Sequence, residues 1–179
     1  MTSRLLCAAI LTLVPVTGGA LQADYAWWLK VTFVPKDTTI ESIPVRQLDP
    51  SWVAASSLQD TELPAEASEP GESVQEHGGA FEVSHDLDGD GRVEKVLVGV
   101  YRADSGEVGR FVLVLSAGKR GGWEKRALFK EAGSAGFSVL FHQEMQLVWT
   151  FCMECDSYCE LKSSRRKWKL KCHSCCEDI

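Results

Sequence analysis

Residues 93–116 read VEKVLVGVYRADSGEVGRFVLVLS, and the fold class turns on this stretch. Val93–Tyr101 is a run of β-branched and aromatic residues, the composition of a strand. Ala103–Gly109 carries Asp104, Gly106 and Gly109, the turn residues of a hairpin. Phe111–Ser116 is an almost unbroken apolar run, as expected of a central strand covered on both faces. Upstream, Phe81–Ser84 reads as a short strand. Downstream, Gly118–Gly122 is a second turn, and Trp123–Phe129, Phe137–Phe141 and Gln146–Phe151 recur at roughly 8–12-residue spacing. The expected fold is mostly β: an antiparallel meander or sandwich with one short helix and a cysteine-stapled C-terminal hairpin.

The N-terminal half is read less regularly. Trp27–Val34 (WWLKVTFV) predicts a strand, with Trp27, Leu29, Val31 and Phe33 on one face and Trp28, Lys30, Thr32 and Val34 on the other. Thr38–Val45 is expected to be extended, with Pro44 favouring an edge. Asp49-Pro50 supplies an N-cap and first-turn proline for the short helix, Ser51–Leu58, whose inward face is Trp52, Ala55 and Leu58. Residues 59–80 scatter Asp60, Glu62, Glu66, Glu69, Glu72 and Glu76 among Pro, Ser, Ala and Gly, the composition of a mobile acidic loop. No Lys or Arg occurs between Arg46 and Arg92.

The chain has 179 residues, 45% hydrophobic and 25% charged, with six Trp and seven Phe. That is enough apolar material for one packed domain and excludes wholesale disorder. A formal charge of −6 argues against broad nucleic-acid binding. At the N-terminus Arg4 precedes an apolar stretch, Leu5–Val16, followed by Thr17, Gly18, Gly19 and small residues at Ala20 and Ala23. This is the order of a secretory signal peptide spanning residues 1–23, leaving a single domain at 24–179. About a dozen apolar residues fall short of the roughly 20 that cross a bilayer, so no transmembrane segment is expected. Cys7 lies inside the apolar stretch, which argues against a lipid anchor. The expected location is periplasmic or secreted.

Removing the signal leaves six cysteines, Cys152, Cys155, Cys159, Cys172, Cys175 and Cys176. An even set in an exported chain reads as disulfides. Tyr158–Lys162, Ser163–Arg166 and Lys167–Lys171 read as strand, turn and strand. Folding them back favours Cys159–Cys172 and Cys155–Cys176, leaving Cys152–Cys175 across a bulge. Two alternatives stay open. Cys152-x2-Cys155 and Cys172-x2-Cys175 have zinc-ribbon spacing, although zinc would leave Cys159 and Cys176 unused. A Cys-x-x-Cys redox site is the other, without the strand–helix order that accompanies it.

The sharpest motif is Asp86-Leu87-Asp88-Gly89-Asp90-Gly91-Arg92-Val93-Glu94. Calcium takes six to eight hard oxygens, and carboxylates at alternate positions of a tight loop can converge on one ion. The ligand set is Asp86, Asp88, Asp90 and Glu94 through their side chains and Arg92 through its carbonyl. An EF-hand does not fit, because the twelfth position is Leu97 and the flanks read as strands. The stretch FEVSHDLDGDGRVEKVLVGVYR, residues 81–102, instead resembles the calcium loop of FG-GAP/VCBS repeats. The resemblance implies an extracytoplasmic, calcium-stabilised β-hairpin, with Asp86, Asp88, Asp90 and Glu94 at the ligand positions. Glu94 stands where the family usually has Asp. One copy is present where a propeller needs several.

Enzyme signatures are scarce: there is no G-x-S-x-G, H-E-x-x-H or P-loop. His77, His85, His142 and His173 are isolated in sequence, and Gly133-Ser134-Ala135-Gly136 is a turn. The C-terminal hairpin is basic, with Lys162, Arg165, Arg166, Lys167, Lys169 and Lys171 around Trp168. Charged edges of this kind discourage strand pairing; with the acidic 59–80 segment they make a dipolar molecule suited to oriented protein association.

The expected function is a non-catalytic exported binding protein with a protein partner, such as an inhibitor or immunity protein, stabilised by calcium and disulfides. The alternatives are a hydrolase using the Asp86–Glu94 loop and a metal, with His85 as the adjacent base, and a zinc-ribbon-like module. Native mass spectrometry separates them. A fully disulfide-bonded chain would be six hydrogens light with calcium bound, whereas full-mass cysteines with bound zinc would establish the ribbon.

Overall fold

The computed structural model describes residues 26–118, 121–143, 146–164 and 167–173. The expected signal peptide, Cys175 and Cys176 lie outside them. Two antiparallel sheets face each other. The first runs in the order β3 (Trp52–Ser57), β6 (Glu94–Ala103), β7 (Val108–Ala117), β8 (Trp123–Ala132), with β5 (Glu82–His85) sharing an edge of β6 with β3. The second runs β12 (Lys167–His173), β11 (Tyr158–Ser164), β10 (Gln146–Thr150), β9 (Val139–Gln143), β4 (Gly79–Ala80). Each sheet contains an uninterrupted meander, β6–β8 in one and β9–β12 in the other. The mostly-β expectation therefore holds, and the strands from Glu82 onward fall where the sequence placed them.

The unbroken apolar character of β6 and β7 has a direct cause. Val96, Val98, Val100, Val112 and Val114 face the second sheet and join Phe137, Val139, Leu147 and Trp149 in one core. Leu97, Tyr101, Phe111, Leu113 and Leu115 face the other way, into a second core with Trp52, Ile40, Val45 and Leu48. Fully burying each such side chain contributes roughly 1.5–3 kcal/mol. Cross-strand pairs Gly99↔Phe111 and Tyr101↔Gly109 set each glycine opposite an aromatic ring. A Cβ on Gly99 would collide with the Phe111 ring and the Ser56 carbonyl. Trp52 closes the layer, stacked on Tyr101 at 4.8 Å and tilted against Phe111 at 5.1 Å.

The second core is capped by β1 (Thr39–Ile40), β2 (Ile43–Pro44) and the single turn of α1 (Val45–Leu48). Three lysines fasten this cap to the sheet. Lys95 pairs with Glu41 and Glu82 at 3.1 and 3.0 Å. Lys125 donates to the Leu48 carbonyl at 2.7 Å, satisfying an orphan group at the end of α1. Lys130 meets Asp49 at 2.6 Å. The register shift between Val114 and Leu115 lets Lys125 and Lys130 share one face of β8 despite their odd spacing.

Three expectations are corrected. Ser51–Leu58 is not a helix: Asp49 accepts hydrogen bonds from the Ser51 N–H and Oγ and starts a strand there. The short helix lies one turn earlier, at Val45–Leu48. Trp27–Val34 is not a strand, because Trp27 and Trp28 both enter the same core and consecutive strand residues would face opposite ways. A 3-10 turn at Trp27–Leu29 turns both inward, and Leu29 and Val34 are left exposed. The acidic residues 59–80 carry 3-10 turns at Asp60–Glu62 and Ala65–Ser68, bury Ala67 and Val74, and accept the Trp27 indole N–H at Glu72.

The third correction concerns sulfur. Cys159–Cys172 forms as expected, but Cys152 bonds Cys155, which replaces the expected Cys152–Cys175 and Cys155–Cys176 pairs. The expected Cys155–Cys176 pair requires β11 to extend back to Cys155, whereas β11 starts at Tyr158 and residues 151–156 bend. The bend brings the Cα atoms of Cys152 and Cys155 to 5.6 Å, an ordinary disulfide span. Cys152, Cys155 and Cys172, three of the four sulfurs of the zinc-ribbon spacing, are thereby engaged.

Two stability measurements follow from this packing. Gly99→Ala should lower unfolding free energy by about 1–3 kcal/mol in urea titration, because Phe111 must leave its place. The Asp49 carboxyl feels burial pushing it up, but the bonds from Lys130 and Ser51 outweigh it and hold it at about 2. Ionised Asp49 thus favours the folded state above the ordinary carboxylate range, and that contribution is lost as pH falls from near 4 to about 2. Acid titration should show a loss of about 2 kcal/mol in this window that Asp49→Asn lacks.

Candidate metal centre

Residues 86–93 join β5 to β6, whose pairing runs from Glu82↔Leu97 to His85↔Glu94. The loop turns back at Gly89 and Gly91, where φ is +72° and +84°, a region that favours glycine. Its acidic side chains hold the turn. Asp86 accepts from the Gly89 N–H at 2.8 Å through Oδ1 and from the Gly91 N–H at 2.9 Å through Oδ2. Asp88 Oδ1 accepts from the Asp90 N–H at 3.1 Å, and Asp90 Oδ1 from the Arg92 N–H at 3.0 Å. Short carboxylates that bond backbone two to five residues on are what allow so acidic a loop to close.

Glu94 is the first residue of β6 and is 3% exposed. Its Oε2 accepts from the Leu87 N–H at 3.0 Å, tying the start of the loop to its end. One carboxylate oxygen each from Asp86, Asp88 and Glu94 lies within 4.8 Å of the other two. Three of the four expected side-chain ligands are therefore brought together. Asp90 stands outside this group, and Arg92 is an exposed loop residue. Leu87 carried no signal as a ligand, yet it packs against the main core and anchors the loop. Its apolar side chain among acids was the available clue.

The electrostatics of the cluster are unfavourable without a counter-charge. Burial pushes the Glu94 carboxyl above its usual range and the charges of Asp88 and Asp90 push it further, against the Leu87 amide. Two full charges at this separation repel by on the order of 1–4 kcal/mol, depending on the effective dielectric. All-oxygen donors fit a hard divalent cation rather than zinc.

Cavities of about 760, 410 and 310 Å³ open at the surface; Leu87 lines the third, but none is lined by Asp86, Asp88 or Glu94. His85 is exposed and directly opposite Glu94 in the ladder. His77 Nε2 lies 2.9 Å from the Gly71 carbonyl, and His173 stacks on Tyr158. His142 is exposed on β9.

Asp86→Ala should accelerate hydrogen exchange at the Gly89 and Gly91 amides, whereas Asp90→Ala should release that of Arg92. Exchange read by NMR would overturn this assignment if the two variants gave the same pattern. Comparison of the chain with protein-family models, with curated proteins and with solved structures finds no match.

Proposed function

We propose that the chain is an exported, non-catalytic binding protein stabilised by calcium and disulfides, acting on another extracytoplasmic protein in the manner of an inhibitor or immunity protein. The observation that carries this reading is the convergence of Asp86, Asp88 and Glu94 in the loop between β5 and β6, with none of the three carboxylates lining the cavities described above. A cation there would brace β5 against β6 rather than face a substrate cleft. The resemblance of residues 81–102 to an FG-GAP/VCBS calcium loop supports it, since that loop also joins two strands. Cys152–Cys155 and Cys159–Cys172 fit an oxidising compartment. Among the described residues no helix is long and apolar enough to cross a membrane.

Asp86, Asp88 and Glu94 would hold the ion, which would supply charge compensation and rigidity to the turn. A second reading, a metal-dependent hydrolase, is favoured by one observation, the position of His85 opposite Glu94. A base beside an open metal position is what water activation requires.

Calorimetry of chelated protein separates the readings. Calcium at a hundredfold excess over its dissociation constant should stabilise the fold by about 2.7 kcal/mol, raising Tm by several degrees. Asp88→Asn and Glu94→Gln should abolish that rise and Asp90→Asn should weaken it less. No heat and no Tm shift with calcium would overturn the brace. Loss of a hydrolytic turnover in His85→Ala, with the calcium response intact, would establish the second reading.

A further inference from the structure

The strand β12 ends its sheet: it pairs with β11, and among the described residues no strand pairs with its other edge. Alternation gives it two faces. Trp168 and Leu170 pack on the main core, opposite Ser163 and Leu161. Lys167, Lys169, Lys171 and His173 share the outward face, opposite Ser164, Lys162, Glu160 and Tyr158. Every outward position of β12 is thus basic. Lys162 and Lys169 are like charges directly across the ladder, an arrangement that destabilises a sheet. Glu160, the carboxylate on this face among the described residues of β11 and β12, is engaged by Lys162 and His173. No salt bridge among the described residues engages the exposed Lys167, Lys169 or Lys171.

The backbone at this edge is oriented too. Cys159 and Cys172 are paired with their Cα atoms 3.8 Å apart, the narrow, non-hydrogen-bonded kind of antiparallel pair. Hydrogen-bonding direction alternates along a strand, so the N–H and C=O groups of Trp168, Leu170 and Cys172 point away from β11, toward the open edge. A strand laid antiparallel there would bond those three residues. Its own residues opposite Lys167, Lys169 and Lys171 would then form narrow pairs, in which side chains approach most closely.

Lysines on an edge repel a second copy of β12 and discourage neutral strands. A strand with a carboxylate at every second position reverses the sign of each contact and matches the roughly 6.8 Å repeat of the lysines. We propose that the β12 edge receives an extended acidic segment of the partner protein by strand addition, its alternate Asp or Glu side chains meeting Lys167, Lys169 and Lys171. Main-chain bonds supply affinity in this mode and the lysines supply selection. The inference rests on the binding-protein reading above and names the chemistry of the partner's contact.

The probes are three blocked heptapeptides titrated into the full chain and followed by calorimetry and amide NMR. The first alternates Glu and Thr; the second has the same sequence with the amides that would face β12 N-methylated; the third alternates Lys and Thr. The Glu/Thr peptide should bind saturably with shifts centred on Trp168, Leu170 and Cys172, and the other two should not bind. Affinity should fall about tenfold or more in the triple variant Lys167→Gln, Lys169→Gln, Lys171→Gln, as for other charge-selected contacts. Equal binding of the N-methylated peptide, equal binding by the triple variant, or no saturable binding of the first peptide would overturn strand addition. The calcium response of residues 86–94 is recorded in the same samples. Its presence without peptide binding overturns strand addition alone, and its absence overturns the calcium brace alone.

Discussion

Burial of the β6–β7 ladder on both faces is the constraint from which the rest of the molecule follows. Its pairing extends from Glu94↔Ser116 to Arg102↔Val108, with valines toward one core and Leu, Tyr and Phe toward the other. A sheet covered on both sides needs two layers, and the chain supplies them differently. The C-terminal meander β9–β12 closes one face as a second sheet. The other is closed by β1, β2, α1 and Trp52, a cap with little area of its own. That cap is held by Lys95 of β6 and by Lys125 and Lys130 of β8, which reach to Glu41, Leu48 and Asp49.

The candidate metal loop inherits its precision from the same ladder. Glu94 opens β6 and is fixed between His85 and Ser116, so its carboxylate has little freedom. Asp86 and Asp88 are placed by hydrogen bonds inside the loop, and Leu87 presses the loop on the core. A flexible acidic loop would spread its charges apart; this one is held together at both ends. The like-charge cluster is a consequence of rigidity imposed from outside it.

Charge is also divided by architecture. The acidic residues 59–80 wrap the Trp27–Trp28 end of the main core, whereas the lysines of β12 occupy the outward face of a sheet edge. The Cys159–Cys172 bond ties that edge to β11 and sets which backbone groups remain open. Rigidity, polarity and an unpaired edge are the physical ingredients of oriented strand recognition.

Local chemistry made much of this legible from the sequence. Val93–Tyr101 declared a strand and Phe111–Ser116 a central one, because an unbroken apolar run of that length must be covered on both sides. Cys159–Cys172 followed from hairpin register, and the alternation of acids and glycines over 86–94 marked a tight acidic loop, whose expected ligand set also included Asp90 and Arg92. What tertiary structure decided lies where local preference was weak or ambiguous. Asp49-Pro50 can start a helix as readily as end one, and the place beside Tyr101 and Phe111 made Trp52 the start of a strand. Trp27-Trp28 could alternate or turn, and the need to bury both rings selected the turn. Val74 looked solitary among acids until the core provided a site for it. Asp90 has the same local chemistry as Asp86 and Asp88, and only the path of the folded loop sets it apart from their cluster. Residue type and spacing determined the strands and the donor set; long-range packing decided which surfaces met, because burial is settled by partners far away in the chain.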